Sequence, residues 1–236
     1  MHELQNKIEE KVNETKQKLI LAERKAKELF KAIEELRLMV PGKSERELTE
    51  EIVELANEYF GITQFWHKKI VRVGVNTLQP YSGNPPDVVI QEDDIVILDF
   101  GPIFEGYEAD LGRTYIIGRN PLKLKLKKDI EVAWHEANTW HAQQKSLTGA
   151  QYFAYLHELA KKYGWEYAGE LGGHIVGPFP HEQPDDPGDL CLDIHPDNHA
   201  DILQKDKNGN DRHWILEIHF VDRINNIGGF FEQLLG

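Results

Sequence analysis

The chain of 236 residues carries 27 Lys and Arg against 40 Asp and Glu, which gives a net charge of −13 with neutral histidines. This acidic balance disfavours nucleic acid as a partner, and the single cysteine, Cys191, excludes an intrachain disulfide and a cysteine-based zinc site. The apolar runs are too short to span a bilayer and the first residues show no signal-peptide pattern, so we expect a cytoplasmic protein with no membrane partner.

A long amphipathic helix is predicted over residues 3–40, and Pro41 and Gly42 are expected to end it. Residues 1–18 are its more polar part and form a predicted helical extension. Apolar or small residues recur at helical spacing at Leu4, Ile8, Val12, Leu19, Ala22, Ala26, Leu29, Ile33, Leu36 and Val40. Two interpretations fit this pattern: a helix packed on its own domain, which we favour, and a coiled-coil arm in a homodimer.

The first half continues with a second helix, a strand and a loop. Ser44 and Glu47 have the spacing of a capping box, which predicts a helix that begins there and ends at Gly61. Residues 69–75 alternate in polarity, which predicts a strand. The following loop over 76–87 is rich in proline and glycine and is predicted to lack regular structure.

Residues 95–118 are predicted to form a hairpin that contains two acidic residues. Four apolar residues run directly into Asp99, a turn with glycine and proline follows, and a second apolar run begins just after Asp110. A buried carboxylate is costly unless it is paired or binds a metal. The hairpin is therefore either ion-paired, with Arg113 as the candidate partner, or part of a metal site.

The second half of the chain is predicted to repeat this order. Two helices, an extended glycine-rich segment, an irregular loop and a hairpin are expected at 122–146, 150–163, 165–179, 182–212 and 213–235. His174 lies in the extended segment, and Glu217 and Glu232 lie in the two strands of the hairpin. The piece 206–210 resembles a fragment of a calcium loop but lacks the later Glu, so we interpret it as a turn.

The repeated order predicts the fold class. Helix, helix, strand and hairpin occupy residues 19–118, and helix, helix, extended segment and hairpin occupy residues 122–236. We expect an α+β fold in which two similar halves surround one sheet, within a single domain over 1–236.

Five polar residues lie within predicted extended segments that are otherwise apolar: Asp99, Asp110, His174, Glu217 and Glu232. Four carboxylates in a dry interior would repel one another and take up protons, and two divalent cations would neutralise them. One imidazole with four carboxylates suits Mn, Co, Fe or Zn. Two such ions can hold a bridging hydroxide beside a polarised carbonyl, which indicates hydrolysis.

The order and spacing of these residues resemble the pita-bread metallopeptidases, which include methionine aminopeptidase, aminopeptidase P, prolidase and creatinase. The resemblance rests on Asp99-x10-Asp110, on the Leu-Gly-Arg-Thr that follows, and on Gly-Gly-His174-x6-His181-Glu-x-Pro. It covers about residues 19–236. It implies two pseudo-symmetric halves with a curved, mostly antiparallel sheet flanked by helices.

The resemblance also implies a role for each ligand of two divalent ions. Asp99 would bind one ion through both oxygens, and Asp110 and Glu232 would bridge the two ions. His174 and Glu217 would complete the coordination of the second ion, and a metal-bound water would be the nucleophile. Glu217 would also shuttle a proton to the leaving amine.

His181 would steady the tetrahedral intermediate, since a donor aimed at the developing oxyanion lowers the barrier. Family peptidases have a second histidine 17–18 residues before the first Asp, where this chain has Tyr81 and Ser82, so Tyr81 is a candidate substrate contact. His67 either replaces that histidine or is a surface residue. His219 is either a substrate contact or a hydrogen-bonded structural residue.

The proline-specific members carry an Arg two residues before the last Glu, where this chain has Phe230. We therefore expect a metal-dependent hydrolase that cleaves an amide bond near a free terminus, most simply an aminopeptidase acting on Xaa-Pro or related peptides. Two alternatives remain: a non-peptidase pita-bread hydrolase of a small amide or amidine, and a catalytically silent binding homologue. The complete set of five ligands disfavours both.

Overall fold

The computed structural model describes residues 2–186 and 188–236, with side chains from residue 14 onward. The described elements are the helices α1 His2–Glu35, α2 Glu45–Phe60, α3 Pro121–His141 and α4 Gly149–Tyr163, a 3₁₀ helix Gly74–Leu78, and the strands β1 Ile70–Val73, β2 Asp94–Phe100, β3 Ile103–Phe104, β4 Tyr107–Glu108, β5 Leu111–Ile117, β6 Glu166–Tyr167, β7 Ile175–Val176, β8 His213–Asp222 and β9 Ile227–Leu234. None of the described helices combines the length and the apolar character that crossing a membrane requires.

Most of the described strands form one antiparallel sheet in the order β1-β2-β5-β9-β8-β6, and β7 pairs with β8 beside this path. Strands β3 and β4 pair with each other in a separate two-stranded sheet. The first three strands of the larger sheet come from the first half of the chain and the last three from the second half. The two halves meet where β5 pairs with β9. This arrangement confirms the predicted α+β fold with two similar halves around one sheet.

The helices cover one face of this sheet. Leu29, Ile52 and Phe100 belong to a buried cluster between the sheet and α1 with α2, and Trp134 and Tyr152 belong to a second cluster under α3 and α4. Side chains alternate between the two faces along a strand, so neighbours of these core residues point the other way. The opposite face is therefore free to carry polar side chains.

Two rows of side chains cross that opposite face. In the first row the pairing register aligns Ile70, Asp99, Gly112, Glu232 and Glu217 on five neighbouring strands. The second row lies two residues further along each strand and consists of Arg72, Ile97, Thr114, Phe230 and His219. The register alone thus brings three of the predicted ligands side by side.

Helix α1 ends earlier than predicted. The helix stops at Glu35 rather than residue 40, because Arg37 adopts a left-handed φ of 53° and the amides of Arg37 and Leu38 bond back to the carbonyls of Glu34 and Ile33. These two bonds are the pattern of a Schellman turn, here without its usual glycine. Leu36 and Val40, which prolonged the apolar pattern, are 57% and 39% exposed.

The described part of α1 packs on its own domain, with its face from Leu19 to Ile33 buried. Leu4, Ile8 and Val12, which extend the apolar pattern toward the N-terminus, lie outside the described side chains. The homodimer arm and the single-domain boundary stay predictions.

The helix starting at the Ser44 capping box and ending at a left-handed Gly61 is confirmed, and so is the turn at 206–210, where the Asp206 carboxylate accepts from the Asn208 and Asn210 amides.

Two further boundaries differ from the prediction. Strand β1 ends at Val73, because Gly74 takes a φ of +55° and starts the 3₁₀ helix inside the segment predicted as strand and loop. The buried Glu45 carboxylate accepts from the Val73 amide and the Asn76 side chain, which holds this turn against α2. Helix α3 ends at His141 rather than 146, because Gln143 bonds to the carbonyl of Trp140, three residues back, and tightens the chain into a turn.

We predict that two adjacent glycines of β9 respond very differently to alanine. A Cβ at Gly228 would lie 2.1 Å from the Thr77 carbonyl oxygen, which is backbone, whereas a Cβ at Gly229 would meet side-chain atoms at 3.2 Å or more. Gly228→Ala should lower the free energy of unfolding by about 1–3 kcal/mol, because the 3₁₀ helix must shift. Gly229→Ala should change it by less than about 1 kcal/mol. Urea denaturation of both variants measures this, and equal effects would contradict the close packing.

Candidate active site

The predicted site residues converge on one cavity. A cavity of about 290 Å³ on the open face of the sheet is lined, among others, by all nine residues that the sequence singled out: His67, Tyr81, Asp99, Asp110, His174, His181, Glu217, His219 and Glu232. Residues from both hairpins and from the extended segment between them therefore meet at a single place. We call Asp99, Asp110, His174, Glu217 and Glu232 the carboxylate cage.

Two groups of potential metal ligands lie in this cavity and share one residue. Within each group the donor atoms lie within 4.8 Å of one another; one group is Asp110, His174 and Glu232, and the other is His67, Asp99 and Asp110. His174 Nε2 is 3.3 Å from Asp110 Oδ2 and 3.9 Å from Glu232 Oε1. Asp110 thus stands between two sets of donors, as a residue that bridges two ions must.

The carboxylates of the cage are buried, and the surrounding protein groups do not satisfy all of their oxygens. Among the described residues, Asp99 Oδ1 and Glu232 Oε2 are buried side-chain oxygens without a hydrogen-bond partner. Burial raises the pKa of Asp99 to about 7 and that of Glu217 to about 8, and burial together with Asp110 and Asp99 raises the pKa of Glu232 well above its usual value. Divalent ions would satisfy both unpaired oxygens and remove this penalty, so the donor set fits a metal centre.

The carboxylate of Asp110 raises the pKa of both imidazoles beside it, those of His67 and His174. Burial alone would lower the pKa of His67, but the carboxylates of Asp110 and Asp99 outweigh it and raise the value to about 10. For His174, burial is again the largest single influence, but the hydrogen bond to Asp110 and the charges of Asp110 and Glu217 together outweigh it and raise the pKa to about 9. Asp110 itself has a lowered pKa despite its burial, because both rings contribute charge and hydrogen bonds.

His181 is held by a residue that the sequence analysis missed. Glu108 is 1% exposed, and its Oε2 accepts from His181 Nδ1 at 2.8 Å and from the Gly177 amide at 3.1 Å. Its Oε1 accepts from the His181 amide at 3.1 Å. Glu108 stands in the turn of the predicted hairpin, where an acidic residue is ordinarily exposed, so only the contact with the distant His181 reveals its role.

Trp66 is a second residue that the sequence did not single out. Its ring lies edge-on to three histidine rings, with centroid distances of 4.6 Å to His67, 5.2 Å to His174 and 5.4 Å to His181. Its Nε1 donates to the Ala109 carbonyl next to Asp110. Trp66 therefore spaces the three rings, and its position after α2 gave no periodic signal.

The surroundings of the remaining residues bear on their open alternatives. His67 lies in the cavity with a side chain only 8% exposed, so the surface interpretation is wrong. Tyr81 stands at the cavity edge, 47% exposed, and its hydroxyl accepts from the Lys68 amide. His219 is buried and its Nε2 donates to the Thr77 carbonyl at 2.7 Å, as the structural alternative proposed. Burial lowers the pKa of His219 to about 4, which keeps the ring neutral.

Arg113 is excluded by geometry as the ion-pair partner of the hairpin carboxylates, which lie instead beside the rings of His67 and His174. Arg113 donates to the carbonyl oxygens of Gly112 and Glu232, both at 2.7 Å, and its guanidinium lies 3.9 Å from the centroid of the Phe231 ring. Among the contacts of the described side chains, none joins Arg113 to the carboxylates of Asp99 or Asp110. The cage carboxylates therefore need another source of positive charge.

Comparison with known proteins supports the resemblance seen in the sequence. Metallopeptidase family M24 matches residues 17–207. The chain belongs to this family. It is 36% identical over 100 residues to the methionine aminopeptidase of Aquifex aeolicus, which covers 41% of this chain and 37% of that protein. It is 28% identical over 179 residues to the Xaa-Pro dipeptidase of Pyrococcus horikoshii, which covers 75% of this chain and 47% of that protein. The matched regions thus span less than half of these relatives.

The solved structures confirm the pita-bread fold. A recombinant prolidase from Thermococcus sibiricus superposes with a TM-score of 0.68 and 25% identity, over 92% of this chain and 55% of the prolidase. The methionine aminopeptidase from Rickettsia prowazekii superposes with a TM-score of 0.66 and 16% identity, over 92% of this chain and 90% of that chain, which shows the fold alone. This M24 protein therefore shares its architecture with both long and short members.

We predict that Glu108→Gln destabilises the protein and frees the ring of His181. The glutamine keeps one acceptor oxygen, but its amide group faces the N–H donors of Gly177 and His181. We expect the free energy of unfolding to fall by about 1–3 kcal/mol. The imidazole nitrogen signals of His181 should also change in NMR spectra. Glu105→Gln is the control in the same hairpin, since Glu105 is exposed and, among the described side chains, pairs with the surface residues Lys18 and Lys25. Unchanged His181 signals in Glu108→Gln would contradict the positioning role.

Proposed function

We propose that this protein is a metal-dependent aminopeptidase that cleaves the amide bond next to the free amino end of a short peptide, with Xaa-Pro or related peptides as the substrate class. The observation that carries the proposal is the pair of donor groups that share Asp110 in one cavity, with two buried carboxylate oxygens left unpaired. The similarity to methionine aminopeptidases and Xaa-Pro dipeptidases supports the same class.

The cage residues would hold two divalent ions, with Mn, Co, Zn and Fe as the candidates that suit carboxylate and imidazole donors. When bound, such ions polarise a substrate carbonyl and lower the pKa of a coordinated water. Asp99, Asp110 and Glu232 supply the carboxylates at the centre, and His174 and Glu217 lie beside them. We also propose the cytoplasm as the compartment, which suits the free thiol of Cys191.

Two side chains are placed to handle protons and charge during hydrolysis. Glu217 lines the cavity and has a raised pKa, because burial opposes its charge, so it can accept a proton and pass it to the leaving amine. Glu108 accepts from Nδ1 of His181, so Nε2 is the remaining ring nitrogen, and it would donate to a substrate carbonyl oxygen when the ring carries a proton on both nitrogens. Both roles place protein groups at the atoms where charge changes.

Arg72 is the strongest candidate for substrate recognition in the second row. It is 4% exposed and lines the cavity. Its Nη2 donates to the carbonyls of Pro80 and Gly83, both at 2.9 Å, whereas Nη1 is buried and has no partner among the described residues. A buried guanidinium donor without a partner is costly, and a substrate carboxylate would satisfy it. We infer that Arg72 binds the free carboxylate of a short peptide. Phe230, which stands where the proline-specific members carry an Arg, cannot do so.

We predict that Asp99→Asn strongly slows hydrolysis by removing a cage carboxylate. Purified protein loaded with Mn or Co should release the first residue of unblocked Xaa-Pro and Met-Ala peptides and leave their N-acetylated forms intact. Asp99→Asn should be slower by about 100-fold or more, since a lost ligand forfeits several kcal/mol of metal-assisted stabilisation. Asp222→Asn, on the distant turn of the second hairpin, is the control.

A panel that includes small amides and amidines separates the alternatives. Cleavage of these compounds without peptide cleavage would favour the non-peptidase hydrolase. Metal binding without cleavage of any compound would favour the binding homologue. Peptide hydrolysis that persists in Asp99→Asn and in the presence of a chelator would overturn the metal-dependent mechanism.

We predict that Arg72→Gln raises the KM for dipeptides by about 10- to 100-fold, because a charge-assisted hydrogen bond is lost. The KM for the matching dipeptide amides should change much less, since they carry no terminal carboxylate. Lys68→Gln is the matched control: Lys68 also donates to the Gly83 carbonyl but does not line the cavity. Equal effects of Arg72→Gln on acids and amides would show that Arg72 acts only by holding the loop.

A further inference from the structure

The segment that carries His67 is fixed to the hairpin that carries Asp99 and Asp110. The Trp66 amide donates to the Gly101 carbonyl at 2.9 Å, and Trp66 Nε1 donates to the Ala109 carbonyl at 2.9 Å. Phe65 forms an isolated bridge with Pro102 in the same turn. Residues 65–67 therefore follow the hairpin closely, and His67 has a defined position relative to the carboxylates.

Gly101 creates the space that the His67 ring occupies. A Cβ at position 101 would lie 2.1 Å from His67 Cδ2 and 2.4 Å from His67 Nε2, far inside van der Waals contact. Any other residue at 101 would displace the ring. The hairpin thus leaves space for the His67 imidazole at Gly101, two residues after Asp99.

The donor atoms around His67 have the spacing of ligands on one ion. His67 Nε2 lies 3.0 Å from Asp110 Oδ1 and 3.6 Å from Asp99 Oδ1, the buried oxygen that has no hydrogen-bond partner. Two donors that are each about 2.1 Å from an ion are about 3.0 Å apart at a right angle and about 3.6 Å apart at about 120°. The observed distances fit these values.

His67 is oriented in the same way as His174. His67 Nδ1 lies 2.8 Å from the carbonyl of the next residue, Lys68, and His174 Nδ1 lies 3.0 Å from the carbonyl of its next residue, Ile175. A carbonyl at Nδ1 fixes the proton there and leaves the Nε2 lone pair for a metal. Both rings then point Nε2 at Asp110, one at each carboxylate oxygen.

We propose that His67 Nε2 is a ligand of the ion held by Asp99 and Asp110, so that Asp110 has an imidazole on each side. The proposal rests on the proposed function, because it assigns a sixth residue to the same two-ion centre. Each of the two donor groups would then contain one imidazole. An added nitrogen donor shifts the preference of that position from Mn toward borderline ions such as Co, Fe and Zn.

The test measures metal binding by the metal-free protein, with His67→Ala and His67→Gln as variants. Co²⁺ is added under equilibrium dialysis and calorimetry, and the visible absorption of the bound ion is recorded. We expect the wild-type protein to bind two equivalents, and both His67 variants to lose affinity for one of them by about tenfold or more, with an altered spectrum. Gln79→Ala is the matched control, since Gln79 lines the same cavity but belongs to neither donor group.

A second measurement uses the wild-type protein and does not depend on variants that fold. Proton NMR of the Co²⁺-loaded protein shows strongly shifted, exchangeable signals from the Nδ1–H of each coordinated histidine. Two such signals support the proposal, and a single signal overturns it.

The outcomes separate this proposal from the proposed function. Wild-type affinity and spectrum in both His67 variants, with a raised KM for peptides, would show that His67 contacts substrate and would overturn the proposal while leaving the aminopeptidase intact. A wild-type protein that binds no divalent ion would instead overturn the proposed function, and this proposal with it.

Discussion

Repulsion among buried carboxylates is the constraint on which the rest of the structure depends. Asp99, Asp110, Glu217 and Glu232 share one small cavity, and like charges at such distances destabilise one another strongly in a low-dielectric interior. The protein has two ways to supply positive charge there. Protonated imidazoles can do so in the metal-free state, and divalent ions can do so when bound. Because the ions would bind the folded state alone, their binding free energy would add directly to the stability of the fold.

The two-halved sheet explains how the charges are brought together and kept apart. Asp99 and Glu232 come from different halves, yet they lie in one row with only Gly112 between them. A Cβ at Gly112 would lie 2.4 Å from the Phe230 ring and 2.9 Å from Glu232 Cβ. The glycine therefore allows the carboxylates of the two halves to approach a common centre, and the pairing of β5 with β9 sets their spacing.

The sequence predicted what local pattern encodes. Alternating polarity predicted the strands, and the Ser44 capping box predicted α2. Acidic residues within apolar segments indicated both hairpins and the carboxylate cage, and the order of these residues along the chain matched the family resemblance. What was missed depends on contacts between distant residues. Glu108 and His181 are 73 residues apart, and the burial of the His67 ring depends on the space that the distant Gly101 leaves for it. The end of α1 was misplaced for a local reason, since a Schellman turn at Arg37 lacks the glycine that would have marked it.

The departures from the family pattern are related to one another in space. The family histidine and arginine are replaced by Tyr81 and Phe230, which lie on the loop after the 3₁₀ helix and on β9. The polar groups that this chain brings into the cavity instead, His67 and Arg72, precede or belong to β1 at the edge of the sheet. These two residues add an imidazole and a guanidinium on the β1 side of the carboxylates, in addition to His174 at the other oxygen of Asp110. Under the proposed function, a substrate that lies across the second row would meet a cation at the β1 edge and the Phe230 ring at β9, an arrangement that suits a short peptide whose free carboxylate reaches Arg72.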